Sequence, residues 1–150
     1  AERVFSLYSI CPQAVFEAHL RRVIMFSQKD IFIKLLEGRK LLLVGAKTPE
    51  IKRIIETRYL RSYGCQVVGA IKIFDFEEIE RVKKEITKYE FDICFLAAGV
   101  NALILAPFIS RQLGKVAFDI GHGMTSLASQ SIVMDDWLVR IIGIDNIMKM

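Results

Sequence analysis

Lys40-Leu41-Leu42-Leu43-Val44-Gly45-Ala46-Lys47-Thr48-Pro49-Glu50 is the stretch that decides the fold. Four consecutive apolar residues, 41–44, are what a strand covered on both faces requires, because both alternating sets of side chains then meet apolar neighbours. Gly45-Ala46-Lys47 makes a turn. Thr48 then caps a helix, with Pro49 at its first position and Glu50 near the positive end of its dipole. Ile51, Ile54, Ile55 and Tyr59 recur at spacings of three and four and define its buried face, and Gly64 closes it.

The same unit repeats downstream. Residues 66–73 form a second strand. Asp75 and Glu78 make a capping-box-like start for a helix along which Phe76, Ile79, Val82, Ile86 and Tyr89 repeat at helical spacing. Between them Glu77, Glu80, Lys84 and Lys88 face water and can pair along the helix. Residues 92–98 form a third strand, and Asn101 caps a helix that runs to Leu113 and stops at Gly114. Residues 116–120 form a fourth strand. Residues 124–131 carry no clear pattern, and a last strand falls within 137–144. Upstream, Pro12 starts a helix over residues 12–26, and Ser27 with Asp30 resembles a capping pair for a short second helix ending at Gly38.

Strands alternating with helices over some eighty residues, with near-continuous apolar strands, predict a doubly wound α/β fold. Its Rossmann-like sheet is mainly parallel and joined by right-handed crossovers. The expectation is a single domain over 1–150, with a helical N-terminal segment at 1–39 and the α/β core at 40–150. In such sheets ligands bind in the crevice beyond the carboxyl ends of the strands. Gly45, Gly99 and Gly121 mark those ends. Each lets backbone approach a ligand or simply permits a tight turn.

Composition sets outer limits. The chain has 150 residues, enough for one sizeable core. With 53% hydrophobic and 25% charged residues it is not a disordered chain. Mean hydropathy is +0.35, but the longest apolar stretch, 93–109, contains Gly99, Asn101 and Pro107 and reads as strand, turn and helix, with no membrane span. No signal peptide is visible at residues 1–4, which points to the cytoplasm. The chain starts at Ala1, so either a Met was removed or the sequence is a piece of a longer protein. Three cysteines without a CxxC pair argue against a disulfide framework or a zinc site. Net charge is +4 but uneven: residues 1–61 hold 12 Lys/Arg against 6 Asp/Glu. That basic half either faces phosphates or forms solvated helix faces. No nucleic-acid motif accompanies it, so nucleic acid is not expected as a partner.

The turn at 45–50 is neither GxGxxG nor GxxxxGK[ST], so neither a nicotinamide-dinucleotide fold nor a phosphate-loop triphosphatase is supported. Lys47 there is either a phosphate contact or an ordinary loop lysine. Ala97-Ala98-Gly99-Val100-Asn101-Ala102 leaves room against a helix start, and Asn101 caps that helix, binds a ligand, or does both. Phe118-Asp119-Ile120-Gly121-His122-Gly123 is the sharpest feature. A strand ends on a carboxylate, then a glycine, then one of only two histidines. Asp119 suits ribose hydroxyls or caps the turn. His122 suits a phosphate or acid/base work near neutral pH, or satisfies backbone groups. His19, in the first predicted helix, suits a structural or exposed role. Asp135-Asp136 offers paired carboxylates ahead of the last strand, either for a cation or as a turn.

From Leu41 through Gly123 the sequence resembles the C-terminal part of the GT-D-fold glycosyltransferases and their GT-D-like relatives. The residues that carry it are Phe91-Asp92-Ile93-Cys94-Phe95-Leu96-Ala97-Ala98-Gly99-Val100-Asn101-Ala102 and Leu113-Gly114-Lys115-Val116-Ala117-Phe118-Asp119-Ile120-Gly121-His122. The resemblance implies a UDP-sugar-type donor and sugar transfer to an acceptor. Gly45, Gly99, Asn101, Asp119, Gly121 and His122 are the candidate donor-binding residues. It also implies a divalent metal held by an Asp-x-Glu near the N-terminus, and residues 1–40 contain none. No metal ligand or catalytic residue is therefore assigned. The alternative is a non-catalytic ligand-binding or assembly module of the same fold, and homo-oligomerisation is compatible with either.

Overall fold

The computed structural model describes residues 28–59 and 63–129, with Ser6, Leu7, Ser9, Cys11 and Met25. The predicted helix over 12–26, the predicted strand within 137–144, His19, Ser27 and Asp135-Asp136 lie outside the described residues.

Helix α1 spans Lys29–Leu36. Gln28 occupies its N-cap without a side-chain hydrogen bond, so Asp30 sits in the first turn and does not cap. Gly38, at φ +70°, takes the left-handed conformation that ends a helix at little steric cost. Strand β1 follows at Lys40–Gly45. Helix α2 covers Thr48–Ile54 and continues as a π-helical turn over Ile55–Tyr59. Strand β2 is Gln66–Ile71. A 3-10 turn at Phe76–Glu78 leads into helix α3, Ile79–Ile86. Strand β3 is Ile93–Ala97. A 3-10 turn at Gly99–Asn101 opens helix α4, Ala102–Pro107, which continues as a π-helical turn over Phe108–Gln112. Strand β4 is Val116–Asp119, and helix α5 is Gly123–Ser129. Helix α5 replaces the patternless segment expected there. Its buried residues are Gly123, Met124, Ser126, Leu127 and Ala128, a small and mixed set that shows no simple apolar period.

The four strands form one parallel sheet in the order β2-β1-β3-β4. Alternation along β1 explains the continuous apolar run. Leu41 and Leu43 face one side, with Ile93 and Phe95, against Leu36, Ile51, Ile55, Met124 and Leu127. Leu42 and Val44 face the other, with Cys94 and Leu96, against Ile79, Val82, Ile86, Leu105 and Ile109. Helices α1, α2 and α5 therefore cover one face, and α3 and α4 the other. Each fully buried Leu or Val contributes about 1.5–3 kcal/mol relative to exposure. Phe32 of α1 stacks on Phe95 with centroids 6.1 Å apart and meets Tyr63 edge-on at 6.5 Å, which docks α1 onto the sheet.

The chain winds from β1 outward to β2, then recrosses to lay β3 on the other side of β1. The direction of winding thus reverses between β1 and β3. The connections leaving their carboxyl ends go to opposite faces and part there, which opens a crevice.

Candidate functional site

The crevice is closed at its base by tight backbone contacts. Gly45 is the last residue of β1 and pairs with Ala97, the last of β3. Thr48, fully buried, places its Oγ1 3.0 Å from the Gly45 carbonyl and 2.9 Å from that of Ile71. Its single O–H is thus shared between the ends of β1 and β2. The expectation that Thr48 caps α2 is corrected. Thr48 lies inside the helix, Lys47 occupies the N-cap, and the hydroxyl serves strand carbonyls instead.

The opposite wall comes from the turn after β4. The N–H groups of Ile120 and Gly121 both donate to the Leu96 carbonyl, at 3.0 and 3.1 Å, which pins this turn to the end of β3. Gly121 N–H also lies 3.1 Å from Asp119 Oδ1, so the Asp119 carboxylate caps its own turn. Gly121 adopts φ +47°. The His122 carbonyl accepts from Thr125 N–H at 3.0 Å, which sets the first turn of α5. His122 and Thr125, three residues apart and both exposed, follow each other on that helix start.

Between these walls lies a cavity of about 200 Å³. Ile51, Ala97 and Met124 give it apolar sides, and Lys47, Thr48, Gly121, His122 and Thr125 supply polar groups. Of the candidates from sequence, Gly121 and His122 line it. Gly45, Gly99, Asn101 and Asp119 follow or end strands on the same edge of the sheet but are not among its lining residues. Lys47, a loop lysine with two readings in the sequence, lines it too. Thr125 and Met124 escaped the sequence reading because α5 did. A helix start at Gly123 would have placed Thr125 beside His122.

Asn101 is 4% exposed, and its Oδ1 has no hydrogen-bond partner among the described residues. It stands at the N-cap of α4 but makes no capping hydrogen bond with its side chain. Gly99, two residues earlier, adopts φ +56°, and a Cβ there would meet open space. Burial pushes the Cys65 and Cys94 thiols up, which keeps them protonated and poor nucleophiles.

A divalent cation of the kind that bridges pyrophosphates wants oxygen ligands, carboxylates first. The lining residues of the cavity include no carboxylate, and no group of three or more His, Cys, Asp or Glu among the described residues is placed to hold a metal. The described residues of the site do not by themselves fit a protein-held cation. An Asp-x-Glu does occur beyond residues 1–40, at Asp75-Phe76-Glu77 on the loop after β2. There Asp75 belongs to a capping box with Glu78, not Glu77: Glu78 Oε2 accepts from Phe74 N–H at 2.7 Å and Asp75 N–H at 3.3 Å. No helix among the described residues is long and apolar enough to cross a membrane.

Residues 1–127 match the family model of the GT-D fold-like domain. No curated protein and no solved structure matches the chain.

Proposed function

The chain belongs to the GT-D fold-like domain family, and from that premise we propose that it is a glycosyltransferase-like domain whose β1/β3 crevice binds a nucleotide-sugar donor of the UDP-sugar type. The observation that carries the reading is the cavity at the carboxyl ends of β1 and β3, where Lys47, His122 and Thr125 converge. One cation with an imidazole and a hydroxyl, and no carboxylate, is a set that favours phosphate oxygens over cationic groups.

The volume supports one division of the ligand. About 200 Å³ is below the ~300–1,000 Å³ that encloses a whole small-molecule ligand. The pyrophosphate occupies the cavity, with Lys47 as its charge partner and His122 and Thr125 as hydrogen-bonding groups. Nucleoside and sugar extend over the rim. There Asp119 offers the ribose hydroxyls its second carboxylate oxygen, the first being held by Gly121 N–H. Gly99 and Gly121 add no side chain there.

Calorimetric titration with UDP and UDP-sugars tests this. Lys47→Ala and Asp119→Ala should each weaken binding about tenfold, the loss of one charge-assisted hydrogen bond. EDTA should leave the affinity unchanged, because no described lining residue of the cavity is a carboxylate. Absence of heat in a folded sample would overturn the donor site. Binding without sugar transfer to acceptor or water would identify the non-catalytic module.

A further inference from the structure

A second concavity lies at the opposite, amino edge of the sheet, with a volume of about 510 Å³. That is within the ~300–1,000 Å³ of small-ligand sites. Four segments wall it: Lys34 and Leu35 from α1, Arg39 from the approach to β1, Asp92 from the head of β3 and Lys115 from the head of β4.

Its charges are unbalanced. In the basic first half, Lys40 and Lys52 pair with Glu90 and Glu56. Lys34 and Arg39 have no acidic partner among the described residues, and neither has Lys115. Asp92 is the single carboxylate among the described lining residues. Its Oδ2 accepts the Lys40 N–H at 2.8 Å and is thereby committed to joining β1 to β3. Lys34, in the last turn of α1, also complements that helix's dipole. Arg39 and Lys115 lie outside any helix. Three cations facing one committed carboxylate in a concave, partly apolar cleft make a focused positive potential.

We propose that this amino-edge cleft is a second ligand site, which takes a phosphate-bearing small molecule and is separate from the donor crevice. Cations arriving from three segments suit an anion with several charged oxygens, and Arg39 can grip two of them at once. Leu35 and Val116 leave an apolar wall for the body of the ligand. Strand β1 has six residues, so about 17 Å of sheet separates the two sites. One ligand phosphate cannot serve both.

The test is a titration of the ¹⁵N-labelled chain with inorganic pyrophosphate in 150 mM salt, followed by amide shifts. The Arg39, Gly114 and Lys115 amides should move on one saturable curve, and the Lys47 and Thr125 amides on another. Substituting both Lys34→Gln and Lys115→Gln should weaken the first curve about tenfold or more and leave the second unchanged. Lys115→Arg should retain the first. Amino-edge shifts alone would uphold this cleft and count against the donor crevice. Crevice shifts alone, or an amino-edge affinity unchanged in the folded double variant, would overturn it.

Discussion

Gly45 and Ala97 meet across the β1–β3 seam so closely that a Cβ at position 45 would stand 2.6 Å from the Ala97 carbonyl oxygen. The clash is with backbone inside a hydrogen-bonded ladder, where neither strand can move aside alone. Glycine here allows two strands to close at the switch point, and the crevice exists because they do. Gly45 thus acts on the site through the sheet.

Gly45→Ala should therefore destabilise the fold by about 1–3 kcal/mol, the usual cost of overpacking. A chain of this size then loses about 2–4 °C of Tm per kcal/mol. Thermal unfolding checks it. A variant as stable as the parent would mean that the seam yields without cost.

Thr48 ties the ends of β1 and β2 through one buried hydroxyl. Thr48→Val keeps the shape and removes the donor, leaving the Gly45 and Ile71 carbonyls without it. The expected loss is about 1–3 kcal/mol in urea unfolding, with m unchanged. Thr48→Ser, which keeps the hydroxyl, should recover part of it.

Asn101 carries a buried oxygen with no partner among the described residues, a group whose lone pairs cost stability if left unmet. Asn101→Leu should raise Tm or leave it unchanged. The same variant should weaken UDP-sugar binding if a bound donor satisfies Oδ1. Stabilisation with undiminished affinity would remove Asn101 from the donor site and leave it a polar defect of the core.

Glu78 predicts a pH dependence. The Phe74 N–H first, then the Arg81 guanidinium and the Asp75 N–H, hold its carboxyl below the usual carboxylate range. A depressed folded value means the contribution is complete above the unfolded value, about 4.3, and is lost as pH falls through the folded one. The Tm gap between the parent and Glu78→Gln should therefore persist from neutral pH to about 5 and close on further acidification. A gap independent of pH would show that the carboxylate's charge plays no part in the capping box.

The sequence by itself determined the alternation of strands and helices, because periodicity is a local property. Leu41, Leu42, Leu43 and Val44 demand cover on both faces whatever the neighbours are. It also placed Gly45, Gly99, Asp119 and His122 at one edge of the sheet, since parallel strands end alike. The Asp119-Ile120-Gly121-His122 segment pointed to the family that residues 1–127 match. Only the tertiary structure decided what each of those residues does there. Thr48 turned from cap to inter-strand tie because the Ile71 carbonyl, 23 residues away, lies within reach of its hydroxyl. Gly45 became a packing requirement because Ala97 lies opposite it. Helix α5 stayed hidden because its buried face is set by what packs against it, through Met124 and Leu127, and not by a period of its own. Likewise, Lys115 is far in sequence from Lys34 and Arg39, and one cleft holds all three only because β1, β3 and β4 begin at the same edge.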